Sequence, residues 1–117
     1  MTRLSRNFFA HEFECKCGCG ANAVAPALIV LLEWLREDFN SPITINSGRR
    51  CHDYNEKIGG AFNSQHKYGN AADIVVSGVS PSAVANWLDA CPLSGHIGLG
   101  RYDTFTHLDV RGHRARW

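Results

Sequence analysis

Phe105-Thr106-His107-Leu108-Asp109-Val110-Arg111 (FTHLDVR, residues 105–111) decides how this chain is built. In an extended strand successive side chains leave on opposite faces. Thr106, Leu108 and Val110 then share one face and supply core, while Phe105, His107, Asp109 and Arg111 share the other. That second face lines up an imidazole, a carboxylate and a guanidinium on one rigid element. Just upstream, Gly95–Tyr102 reads as a partner strand, joined to Phe105–Arg111 by a tight Asp103-Thr104 connection. Further back, Ala71–Val76 (AADIVV) reads as a third strand with Asp73 set among apolar neighbours. A buried, unpaired carboxylate is costly, so Asp73 needs a cation, a metal or several donors.

The remaining elements follow from periodicity and punctuation. Pro26 suits a first helical turn, and Leu28, Leu31, Leu32, Leu35 and Phe39 follow at helical spacing on one face, with an end near Asn40. Ser41-Pro42 breaks that helix, and Ile43–Asn46 alternates like a half-buried strand before a Ser47-Gly48 turn. Cys51–Ile58 reads as a short helix stopped by Gly59-Gly60, and residues 61–70 as a polar loop. Ser80-Pro81 opens a second main helix carrying Val84, Trp87, Leu88 and Cys91. Residues 1–24 form an arm, irregular in expectation, that contains CKCGCG (15–20). The fold class is therefore α+β: a small, largely antiparallel sheet with two main helices, one domain over 1–117.

Composition excludes several function classes. With 117 residues there is room for one ordinary domain. Lys+Arg 12 against Asp+Glu 11 provides no basic stripe for nucleic acid. The longest apolar run, Ala27–Leu32, is far short of the roughly 20 residues of a membrane span, so no membrane insertion is expected. Arg3, Arg6, His11 and Glu12 interrupt the start, so no secretory signal is expected either, and the chain is read as made in the cytoplasm. Five cysteines, Cys15, Cys17, Cys19, Cys51 and Cys91, cannot all pair internally. Cys-x-Cys-x-Cys lacks the C-x-x-C spacing of a zinc ribbon. The segment is open to a small structural metal, a disulfide, a zinc knuckle for single strands, or a Gly-loosened turn with small thiols.

His66 lies seven residues before Asp73, in a Gly-containing loop. With His107 these make two imidazoles and a carboxylate, three ligands that leave zinc an open fourth position, the pattern of a catalytic site. Spacing alone also permits a plain salt bridge at Asp73. Three segments carry more: SGRRCHDYN (47–55), IGGAFNSQHKYGNAAD (58–73) and FTHLDVRG (105–112). Together they resemble the zinc D-Ala-D-Ala carboxypeptidases and murein endopeptidases, a superfamily that also includes D-Ala-D-Ala dipeptidases and the hedgehog signalling domain. The S-x-H-x-x-G-x-A-x-D pattern is matched by Ser64, His66, Gly69, Ala71 and Asp73. The arm SRNFFAHEFECKCGCG (5–20) and the tail HRARW (113–117) are similar to those of the short, phage-type members.

The resemblance implies one zinc per chain, held by His66, Asp73 and His107. It implies that Arg50 contacts the substrate carbonyl, against a plain reading of Arg50 paired to Asp53 or Glu56, and that Ser64 orients His66 or touches substrate, unless it only caps its loop. It implies hydrolysis of peptidoglycan stem or cross-bridge peptides at a D-amino acid, by a monomer, in wall lysis or remodelling. Such a chain would reach the bacterial wall after release or as a virion component, like a phage endolysin. The pattern departs from its relatives at the general base. They carry Glu three residues before the last ligand or His two before it, where this chain has Thr104 and Phe105. Asp109 and Asp103 are the carboxylates left for that role, with Asp109 equally suited to orienting a ligand histidine. Arg49 stands where an aromatic is common. A hedgehog-like binding module that keeps zinc without catalysis is the alternative function. Trp117 is open to packing on the sheet or contacting glycan, and His11, His52, His96 and His113 read as surface or supporting residues.

Overall fold

The computed structural model describes residues 2–117. Its elements are α1 (Pro26–Phe39), β1 (Ile43–Ser47), α2 (His52–Lys57), β2 (Ala71–Val76), α3 (Pro81–Ala90), β3 (Gly98–Arg101), β4 (Thr106–Asp109) and β5 (Ala115–Arg116). The strands form one sheet in the order β1-β2-β4-β3-β5, antiparallel except for the β3–β5 pair. The expected α+β class and mostly antiparallel sheet are what the structure has, with a short α2 beside the two main helices.

α1 begins on Pro26 and ends where Asn40 turns left-handed (φ 48°), burying Leu28, Ile29, Leu31, Leu32 and Leu35. α3 is capped by Ser80, whose Oγ accepts from the Ala83 N–H at 3.1 Å. Both helices cover the sheet face that carries Ile43, Ile45, Ala72, Ile74, Val76, Leu99 and Leu108. Trp34 and Trp87 meet edge-to-face (5.5 Å) between α1 and α3, and Trp87 donates to Asp38. The opposite face of β2 and β4 is left for Asp73, His107 and Asp109.

Four expectations need correction. The arm is not irregular throughout: Arg3 bridges Phe9, Ala10–Phe13 forms a 3₁₀ turn, and Phe8 and Phe13 are fully buried in the main core. Residues 61–70 contain a 3₁₀ turn, Gln65–Tyr68. The last strands are shorter than Gly95–Tyr102 and Phe105–Arg111. Ser94–His96 is drawn into a 3₁₀ turn, and past Asp109 the chain stays against β2 for one more residue, the Val110 N–H donating to the Asn70 carbonyl (3.0 Å), before it turns away. Nor is the β3–β4 connection only Asp103-Thr104, because Tyr102 and Phe105 stack across it at 4.4 Å and lie outside the ladder. The tail adds β5, and the Trp117 main chain continues along β3 through bonds with Leu99 and Arg101.

Candidate metal centre

Register brings the site together. Asp73 on β2 pairs across the sheet with His107 on β4, so the two side chains emerge side by side on the face away from the helices. His66 arrives from the Gln65–Tyr68 turn, which Ser64 caps by accepting from the His66 N–H (3.3 Å) and which Gly69 terminates at φ +74°, a conformation that favours glycine. His66, Asp73 and His107 are all buried, with exposures of 2%, 8% and 8%. Asp73 Oδ1 lies 3.2 Å from His66 Nε2 and 2.9 Å from His107 Nδ1.

The outer partners of the two imidazoles determine what faces inward. His66 Nδ1 sits 2.8 Å from the Gly48 carbonyl, which can only accept, so that nitrogen carries the proton. His107 Nε2 sits 2.7 Å from Asp109 Oδ2, a carboxylate that likewise accepts. In the neutral imidazoles His66 Nε2 and His107 Nδ1 are therefore lone pairs, both aimed at a third acceptor, Asp73 Oδ1. Three buried acceptors converging on one point repel unless extra protons or a cation lie between them. Two nitrogens and one carboxylate oxygen, oriented from behind by a carbonyl and a carboxylate, suit zinc.

Charge follows the same pattern. Burial works to raise the Asp73 pKa, but the adjacent His107 and His66, which bond and pair with it when they carry the extra protons, outweigh burial and hold the carboxyl well below the usual range. Burial pushes His107 down, yet Asp109 and Asp73 on either side push it up further, to a net rise. Asp109 is fully buried and also held low: burial opposes ionisation, while Arg111 and His107 favour it more strongly.

Asp109 does not open into the cleft. Its Oδ1 accepts from the N–H groups of Gly98 and Arg111 and from Arg111 Nε, and its Oδ2 accepts from Arg111 and His107. A carboxylate with both oxygens so occupied and no exposure has no access to substrate water, which removes the general-base role considered for it. It sets the tautomer of His107 instead. Gly98 makes this possible, because a Cβ there would overlap the Asp109 carboxylate. Asp109→Asn is therefore expected to weaken zinc affinity by about 10–100-fold while leaving the fold intact, measured by competition with a chromophoric chelator. Unchanged affinity would show that His107 needs no such partner.

The centre opens into a cleft of about 470 Å³. Arg50 projects into it, with Nε donating to Ser47 Oγ (3.1 Å), one terminal nitrogen to Asn55 Oδ1 (3.4 Å) and the other to Asp73 Oδ2 (3.4 Å). It pairs with the site carboxylate rather than with Asp53 or Glu56. Ser64 lines the same cleft as well as capping the His66 turn. Asp103 is exposed in the β3–β4 connection, between the cleft residues Tyr102 and Phe105.

Two cleft residues, Tyr102 and Trp117, and one that supports the cleft from behind, Asn55, were given no site role from the sequence. Asn55, 3% exposed, braces Arg50 and donates to the Ala61 carbonyl (2.8 Å). Tyr102 accepts from Trp117 Nε1 (2.9 Å). The Trp117 indole lies 4.9 Å from the His107 ring with the Arg111 guanidinium over it, and a Cβ at Gly100 would sit 2.6 Å from its Nε1. The glycine at 100 opposite His107 was the available signal. The four other histidines, His11, His52, His96 and His113, are exposed and outside the centre.

A His/Asp/His donor set on a rigid antiparallel sheet, backed by orienting acceptors and open to a cleft on one side, defines a metallohydrolase-type centre. The chain belongs to the Peptidase M15 family, whose model matches residues 4–109. It is also similar to the zinc D-Ala-D-Ala carboxypeptidase of Streptomyces albus G, 44% identical over 57 residues. That match covers 46% of this chain and 22% of the relative's length.

Proposed function

We propose that the protein is a zinc-dependent peptidase acting on peptidoglycan stem or cross-bridge peptides at a D-amino acid, in lysis or remodelling of the bacterial wall. The observation that carries this is the convergence of His66 Nε2, His107 Nδ1 and Asp73 Oδ1, all acceptors, at the floor of an open cleft. The substrate class is supported by the similarity to a zinc D-Ala-D-Ala carboxypeptidase. His66, Asp73 and His107 would hold the zinc, which when bound supplies Lewis acidity toward a carbonyl oxygen and toward water.

The chain's own groups do the rest. Ser47, Asn55 and Asp73 fix the Arg50 fork, engaging three of its five N–H donors and leaving two for oxygen on a substrate carbonyl as negative charge develops there. Stacked Tyr102 and Phe105, with Trp117, form an aromatic wall along which a peptide can lie. Asp103 takes the proton of the attacking water on a carboxylate oxygen and returns it to the leaving amine.

Digestion of purified peptidoglycan by the zinc-loaded protein, with products identified by mass spectrometry, tests the proposal. New amine and carboxyl termini beside a D-amino acid are expected, and the fragment sizes distinguish carboxypeptidase from endopeptidase action. Asp73 is the only carboxylate among the cleft-lining residues, which favours one second reading, a binding module that keeps the metal without turnover. Wall binding without products would establish that reading. Arg50→Ala is expected to lower turnover on the order of 100-fold or more with zinc retained. A folded variant with unchanged turnover would leave Arg50 only its role as a brace for Asp73.

A further inference from the structure

The arm and the start of α2 build a second cluster that the peptidase chemistry does not use. Cys15, Cys17, Cys19 and Cys51 bring four thiol sulfurs within 4.8 Å of one another. Cys15 Sγ and Cys17 Sγ are 3.5 Å apart, and Cys17 Sγ and Cys51 Sγ 3.7 Å. Zinc bonded to four sulfurs at about 2.3 Å places neighbouring sulfurs roughly 3.8 Å apart, so these spacings are already those of a tetrahedral edge.

Such convergence does not follow from sequence spacing. In an extended C-x-C-x-C the outer cysteines stand about 13 Å apart, four strand rises. Here the chain curls: Cys15 N–H donates to the Ala21 carbonyl (2.7 Å), Gly18 N–H to the Cys15 carbonyl (3.3 Å), and Gly18 and Gly20 both take φ +85°. The fourth sulfur comes from 36 residues beyond Cys15, and the Cys51 N–H donates to Cys15 Sγ (3.4 Å). The Tyr54 N–H in turn donates to Cys51 Sγ (3.4 Å).

We propose that Cys15, Cys17, Cys19 and Cys51 form a second zinc site, structural and closed, separate from His66, Asp73 and His107. Four protein ligands fill the tetrahedron and leave no position for substrate. Loading displaces the thiol protons to solvent, up to four per ion, with no change of oxidation state. The site ties the arm, which sends Phe8 and Phe13 into the core, to the residue directly after Arg50.

Metal content and the spectrum of the cobalt-substituted full chain test this without any reference to hydrolysis, so the outcome is independent of the peptidase reading. Wild type prepared anaerobically with excess zinc and then desalted should hold two zinc ions. The cobalt form should show intense thiolate-to-metal charge-transfer absorption. His66→Ala should keep that absorption and one metal. Cys17→Ser/Cys19→Ser, both at exposed positions, should lose it, fall from two metals to one, and retain the circular dichroism of a folded chain. The proposal is overturned by wild type without thiolate charge-transfer absorption, by such absorption that survives in the double variant, by a double variant that holds as much zinc as wild type, or by iron or linked cysteine pairs in place of zinc.

Discussion

His66→Ala and His107→Ala are each expected to abolish both zinc binding in the cleft and hydrolysis. Each removes one of three donors from a buried site and leaves the Asp73 carboxylate, 8% exposed, without one of its two imidazole partners. Two remaining protein ligands do not hold zinc at the stoichiometry three do. The measurement is metal content by mass spectrometry beside product release from peptidoglycan, with circular dichroism as the check on folding. If both variants keep full cleft zinc, the ligand set is wrong.

Acid should release the same ion, since both imidazoles must be neutral to bind it. In the metal-free protein the sign for His107 reverses. Its raised pKa contributes stability that is fully present below about 6.5 and is lost as pH rises through the higher folded value. Asp73 and Asp109 behave oppositely: their depressed values contribute stability above about 3.9 that is lost as pH falls. Metal-free protein should therefore lose stability on both sides of a mildly acidic optimum, whereas zinc-loaded protein should hold it as pH rises. Thermal melts across pH with and without chelator read this directly.

The elements that position the centre were legible because their signals are local. Pro26 and Ser80-Pro81 mark helix starts, and alternation in β4 assigns His107 and Asp109 to one face without any tertiary information. The Asp73–His107 pairing is a register fact, yet an acid inside an apolar strand already required a partner. What could not be read depends on long-range docking. Phe8 and Phe13 follow no strand or helix period, so nothing local announces their burial in the main core. The role of Asp109 turned on Arg111 and on a glycine eleven residues away, Gly98, which together seal it from the cleft. Cys51 read as a solitary cysteine because only the folded chain brings it to the arm. Trp117 depended on whether the last residues pair with β3, a choice made by β-ladder bonds rather than by the tail's own composition.

Under the proposed function the sealing of Asp109 makes Asp103 the carboxylate proposed for proton transfer, and Asp103→Asn then has the second large expected effect. Asp73 is committed to the two histidines and Arg50, so it has no capacity to serve as a base. Asp103 is exposed and, among the described residues, accepts no hydrogen bond and forms no ion pair within the chain. Its neighbours Tyr102 and Phe105 line the cleft, and it precedes His107 by four residues across the connection their stacked rings shape. Replacing one carboxylate oxygen by an amide removes proton affinity with little change in volume. Turnover should fall by about 10²–10⁴-fold, the range for a positioned general base, and the acidic limb of the pH–rate profile should vanish with it. Zinc content and thermal stability should match wild type, which separates this variant from Asp109→Asn, where affinity for the metal falls first. An Asp103→Asn protein with full zinc and wild-type turnover would exclude Asp103 as the base and require the proton to leave by a group outside these two carboxylates.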